Sequence, residues 1–149
     1  MKIALASDHA GFELKSAVAD YLRGRGVPFE DLGCGPGESV DYVDFGAAGA
    51  RAVVSGACDR AILVCGTGLG MAIVANKFKG LRATPCPSEY AAEMSRKHND
   101  SNCLTLGGRT HGLEQALAIV RVWLDTAFEG GRHGRRVALI GRLEDENFK

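Results

Sequence analysis

The sequence predicts an α/β protein: a single-domain three-layer sandwich with a Rossmann-like, five-stranded parallel sheet, helices on both faces and a C-terminal helix. Three observations predict it. Short apolar runs alternate with helix-periodic segments, and repeated β-α units imply a parallel sheet covered on both faces. The run at 60–65 (RAILVC) is apolar almost throughout, the pattern of a strand buried on both sides. The 20 glycines gather between the periodic segments, where turns belong. At 149 residues, with 46% hydrophobic and 24% charged, the chain has the length and composition of one ordinary domain.

Residues 2–7 are the first strand. A helix follows over 11–23, with Leu14, Val18, Tyr21 and Leu22 on one face. Residues 27–32 form the second strand, 42–55 an alanine-rich helix and 60–65 the third strand. A glycine loop leads into a short helix over 71–78, and 81–84 is the fourth strand. Ser88 suits the N-cap of a helix over 89–98. Residues 102–106 are the fifth strand, and Leu113, Leu117, Val120 and Leu124 mark a long amphipathic helix. Gly130-Gly131 breaks the chain before a last helix over about 135–145, whose polar tail from 144 is expected to fray. The stiff segment Thr84-Pro85-Cys86-Pro87 has no functional reading at this level.

Composition excludes several classes. Eighteen basic residues balance eighteen acidic ones, so nothing draws the chain as a whole to nucleic acid or an anionic membrane. The five cysteines are odd in number and lack C-x-x-C spacing, which argues against a disulfide framework or zinc ribbon and for a reducing compartment. The first apolar run is short and interrupted by Asp8-His9, unlike a signal peptide, and no run approaches a membrane span. A cytoplasmic protein without metal or cofactor is expected.

In parallel sheets, ligands bind at the carboxyl ends of strands. Three segments lie there: Asp8-His9 after strand one, Cys65 with its glycine loop after strand three, and Gly107-Gly108-Arg109 after strand five. The loop reads Gly66-Thr67-Gly68-Leu69-Gly70 and runs into a helix, whose N-terminal N–H groups favour anions. Its G-x-G-x-G spacing is not the dinucleotide fingerprint, and no G-x-x-x-x-G-K-[ST] occurs. Cys65 beside a helix N-terminus could serve as nucleophile or base, or simply pack as a small hydrophobe. The packing role is assigned to Cys34, Cys58 and Cys103, while Cys86 is left undecided. His98 and Asn99 close a helix, and a helix C-terminus lies at the sheet edge opposite the ligand edge. A catalytic His98 would therefore have to come from a second subunit. Arg109, Arg132, Arg135 and Arg136 are candidate phosphate contacts.

Five segments in order carry a resemblance: SDHAGFELK (7–15), DYVDF (41–45), CGTGLGMAIVANKFKGLRA (65–83), SRKHNDSNCLTLGGR (95–109) and EGGRHGRRV (129–137). Together they resemble the type B ribose-5-phosphate isomerases, whose family includes the subunits of galactose-6-phosphate isomerase. The resemblance runs from residue 2 to about 140. It implies interconversion of D-ribose 5-phosphate and D-ribulose 5-phosphate through an enediolate, within the pentose phosphate pathway. It makes Cys65 the base, Thr67 an aid to proton movement between the oxygens, and His98 the group that opens the furanose ring. It gives Gly66, Gly68 and Gly70 amides to the enediolate oxygens, and Asp8, Tyr42 and Asn99 to sugar hydroxyls or the ring oxygen. His9, Arg109, Arg132 and Arg136 then bind the phosphate. It also implies a homodimer or dimer of dimers with sites built from two chains. One branch of the family replaces the cysteine by a glutamate just after the loop; here that position is Met71 and Cys65 is present. Allose or galactose 6-phosphate is the alternative substrate, and a non-catalytic phosphosugar-binding module the alternative class.

Overall fold

The computed structural model of the protein describes residues 1–37 and 39–148. Among them, strands and helices alternate as β1 (Ile3–Ser7), α1 (Phe12–Gly24), β2 (Phe29–Asp31), α2 (Tyr42–Val54), β3 (Arg60–Cys65), α3 (Leu69–Ala75), β4 (Ala83–Pro85), α4 (Glu89–Asn99), β5 (Cys103–Gly107), α5 (Leu113–Asp125) and α6 (Arg132–Asn147). Every strand pairing is parallel, in the order β2-β1-β3-β5-β4. The winding reverses between β1 and β3. Their carboxyl ends carry Asp8 and Cys65, and that crevice is where such sheets bind ligands.

Side chains alternate across the sheet with period two and divide the interior into two cores. Ile3 and Leu5 of β1, with Ile62 and Val64 of β3, pack against Leu14, Val18 and Leu22 of α1 and Ile119, Val120 and Trp123 of α5. The intervening Ala4, Ala6, Ala61, Leu63 and Cys65 face Ala50 of α2 and Met71 and Ala75 of α3. Large residues thus fill one face and small ones the other. The small face lets α2 ride close: a Cβ at Gly49 would lie 2.4 Å from Leu63 Cδ2. Helices α1, α4 and α5 cover the first face, α2 and α3 the second, and α6 packs outside on α4.

The fold class expected from sequence is observed, and several element ends move for local reasons. β2 begins at Phe29 rather than 27, because Val27 donates its N–H to Leu22 O and Pro28 has none to give. α3 spans Leu69–Ala75, two residues earlier than expected at its start, and ends where the Asn76 amide bonds both Ala83 N–H (2.8 Å) and Ala83 O (2.9 Å). β4 and β5 each shift toward their carboxyl ends. α6 begins at Arg132, since Gly130 (φ 70°) and Gly131 (φ 55°) form its entrance rather than a break three residues upstream. Its tail does not fray before Asn147. Glu144 accepts Gly80 N–H at 3.1 Å, and Asp145 pairs with Lys79. Lys149 lies outside the described residues.

Candidate active site

Three loops meet at the carboxyl edge. Asp8 is buried directly after β1, and its Oδ1 accepts Gly11 N–H at 2.9 Å, holding the turn into α1. His9 Nδ1 accepts Val40 N–H at 3.2 Å, so a neutral His9 carries its hydrogen on Nε2. Below this turn Lys15 is fully buried, its Nζ bonded to Asp31 Oδ1 (2.8 Å) and Cys34 O (2.7 Å), which ties α1 to the strand beside it.

Cys65 closes β3 at 5% exposure, with its sulfur turned into the glycine loop: Gly68 donates its N–H to Sγ at 3.1 Å. Gly68 has φ 81°, a left-handed conformation that glycine adopts at no steric cost. The Gly68 amide thus points at the sulfur. Thr67 Oγ1 accepts Leu69 N–H at 3.3 Å, which orients its hydroxyl. The following N–H groups, of Gly70 and Met71, begin α3, where the helix offers them no acceptor. Tyr42 lies against Gly70 so closely that a Cβ there would fall 2.6 Å from the ring. Arg109 donates its backbone N–H to Gly66 O at 2.9 Å, and its side chain passes over Gly66. Beside these groups opens a depression of about 590 Å³ lined by His9, Gly35, Ser39, Gly108 and Arg109. The structure thus brings together Asp8, His9, Tyr42, Cys65, Gly66, Thr67, Gly68, Gly70 and Arg109.

His98, Asn99, Arg132 and Arg136 lie at the opposite edge. Arg82, which precedes β4, donates to Asn99 O at 2.9 Å, and Asn102 O accepts from Ala61 N–H at the start of β3. Cys65 stands four residues further along β3, about 13 Å away along the strand. The predicted separation of His98 from Cys65 within one chain is therefore present.

One residue of this edge escaped the sequence reading. His133 stacks on His98 with ring centroids 4.1 Å apart and planes at 13°, and it is 5% exposed. No spacing pattern marks it, because the stack joins α4 to α6. Burial, then His98 and Arg132, disfavour its charged form, while Glu129 opposes them from 3.6 Å. Among the described residues, His98, Glu129 and His133 are the group of possible metal ligands, their atoms within 4.8 Å of one another. The stack makes them a poor cradle. A metal must lie near the plane of each ligating ring, and two parallel rings 4.1 Å apart share no such point.

The remaining cysteines pack. Cys34, Cys58 and Cys103 are buried, and burial pushes the Cys58 and Cys103 thiols up. Cys86, undecided from sequence, joins the larger core, where burial likewise raises its thiol. The segment Thr84-Pro85-Cys86-Pro87 is thus anchored in the core at Cys86, and Pro85, Cys86 and Pro87 line a second pocket with Thr67 and Leu69 of the glycine loop. Pro85 ends β4, an edge strand where a missing N–H is tolerated, and Ser88 caps α4 by accepting Ala91 N–H at 3.1 Å.

A parallel sheet with a cysteine, an amide-rich turn and cationic side chains at its switch point defines a class: an α/β protein equipped to hold an anionic small molecule at the ends of its strands. Within that class, residues 3–140 match the model of the Ribose/Galactose Isomerase family, and the chain belongs to that family. It is 47% identical over 143 residues to ribose-5-phosphate isomerase B of Escherichia coli strain K12, covering 96% of each chain. It superposes on the ribose-5-phosphate isomerase B structure from Clostridium thermocellum with a TM-score of 0.96 at 53% identity, covering 98% of this chain and 99% of that one. The crystal structure of ribose-5-phosphate isomerase B from Mycoplasma genitalium with bound ribulose-5-phosphate matches with a TM-score of 0.94 at 38% identity, covering 98% and 97%.

Proposed function

We propose that this chain is an aldose–ketose isomerase that interconverts D-ribose 5-phosphate and D-ribulose 5-phosphate through an enediolate. The observation that carries the reading is the Cys65 sulfur held at 3.1 Å by an amide of the glycine loop, next to Gly66, over which passes the Arg109 side chain that shares the wall of a depression with His9. Isomerisation requires removal of the C2 proton of the aldose and its return to C1. Cys65 takes and returns that proton. A backbone N–H aimed at sulfur supports the negative charge it needs to do so. The enediolate oxygens meet the Gly66 and Gly70 amides, preorganised donors of a kind worth about 2.7–4 kcal/mol each, while Thr67 passes a proton between O1 and O2. The phosphate reacts with nothing and positions the carbons, held by His9 and Arg109.

His98, Asn99, Arg132 and Arg136 complete the site from a second copy of the chain, in a homodimer or a dimer of dimers. The support is geometric: one chain carries the two halves at opposite edges of its sheet, so a pair with two-fold symmetry can bring each half to the other. His98 then opens the furanose, Asn99 holds a hydroxyl with Asp8 and Tyr42, and the two arginines grip the phosphate. A cytoplasmic setting in the pentose phosphate pathway suits five unpaired cysteines. No described helix is long and apolar enough to cross a membrane.

The test is an isomerisation assay with ribose 5-phosphate, allose 6-phosphate and galactose 6-phosphate side by side. The highest kcat/KM is expected for ribose 5-phosphate. A higher value for a hexose phosphate would reassign the substrate, and no turnover of any of them would leave only a binding module.

A further inference from the structure

Two imidazolium rings stacked at 4.1 Å repel each other, so His98 and His133 readily hold one proton between them and resist a second. The two rings are unequal. His133 is almost fully buried at the start of α6, beside Arg132 and Arg136. His98 is only half-buried, at the end of α4. The charged groups around the pair are Glu93 and Lys97 on α4, which pair with each other, Arg132 and Arg136 on α6, and Glu129 between the helices. Glu129 Oε2 lies 3.6 Å from His133 Nε2. Its placement is built in: the Glu129 N–H donates to Lys97 O at 3.2 Å, fastening the segment before α6 to the residue next to His98.

We propose that His98 and His133 act as one stacked acid carrying a single proton, and that Glu129 is the positioning residue that supplies its counter-charge. This rests on the reading of His98 as the ring-opening group and deepens it. His133 turns its Nε2 toward the carboxylate, so Glu129 acts on the pair through the buried ring. Burial and the two guanidiniums disfavour charge on His133, and the Glu129 carboxylate offsets part of that. The chemistry balances without a co-reactant. The bond from C1 to the ring oxygen breaks, the acid protonates that oxygen, and the O1 hydroxyl gives up its proton as the C1 carbonyl forms, restoring the acid.

The test is an imidazole NMR titration of the whole protein, with the two signals assigned by H98N and H133N and compared with E129Q. Glu129 is half-exposed and Gln preserves its shape, so E129Q leaves the fold unchanged. Both rings are expected to move through one shared step. In E129Q that step shifts to lower pH by about half a unit, the size of a partly exposed charge interaction. The alkaline limb of kcat/KM for ribose 5-phosphate should move down by the same amount. An unmoved titration in E129Q, or two rings titrating independently, would overturn the proposal. A moved titration with an unmoved rate profile would overturn the ring-opening reading instead, which the H98N rates test separately.

Discussion

Removing the Cys65 sulfur takes away the proposed base and little else, because the side chain is small and, among the described residues, its one polar contact is with Gly68 N–H. Cys65→Ala is expected to lower kcat by about 10²–10⁴-fold with an unchanged circular dichroism spectrum and melting temperature. Turnover near that of the parent protein would remove Cys65 from the chemistry. His98→Asn should discriminate between substrates by their ring chemistry. Ribose 5-phosphate closes to a furanose, whereas erythrose 4-phosphate cannot, since its O4 is phosphorylated. The variant should lose far more activity on the pentose than on the tetrose, and equal losses would exclude ring opening. Cys65 was legible in the sequence as a cysteine before a glycine loop: its position alone left base and packing open, the resemblance made it the base, and the structure adds that the sulfur faces the Gly68 amide. His133 was not legible, because a stack between α4 and α6 leaves no periodic trace in either helix.

At the scale of elements, the loop and the N-terminus of α3 are held by close approaches that only glycine permits. Gly70→Ala would push a Cβ into Tyr42 at 2.6 Å. The ring must shift, so KM for ribose 5-phosphate should rise severalfold while the melting temperature changes little; an unchanged KM would separate Tyr42 from the substrate. The turn after β1 depends on a buried ion instead. Lys15→Met keeps the aliphatic stem but strips the buried Cys34 O of this donor and leaves Asp31 with the Gly33 N–H alone among its described donors. Leaving such a carbonyl unpaired costs about 1–3 kcal/mol, a drop of several degrees in melting temperature measurable by calorimetry. Long periodic elements such as α1 and α5 were readable because their apolar stripes repeat. The ends of β2, α3 and α6 were not, since they depend on single hydrogen bonds to residues distant in sequence, such as Asn76 to Ala83 and Glu144 to Gly80.

For the whole molecule, the decisive arrangement is that one chain carries Cys65 and His98 at opposite edges of its sheet. Co-expressing Cys65→Ala and His98→Asn chains should restore activity to about a quarter of the parent level. Half of the randomly assembled dimers are mixed, and each mixed dimer keeps one intact site of two. Activity no greater than that of the two variants measured alone would place each site within a single chain. By itself, the amino-acid sequence determined the α/β class, the site-bearing loops after β1, β3 and β5, and the family, because apolar periodicity, glycine placement and ordered motifs are local properties of the chain. Only the tertiary structure decided the strand order, with β5 inserted between β3 and β4, the direction of the Cys65 sulfur, and the union of His98, His133 and Glu129. Those depend on how distant segments pack to exclude water and satisfy buried polar groups, and such packing is a property of the folded whole.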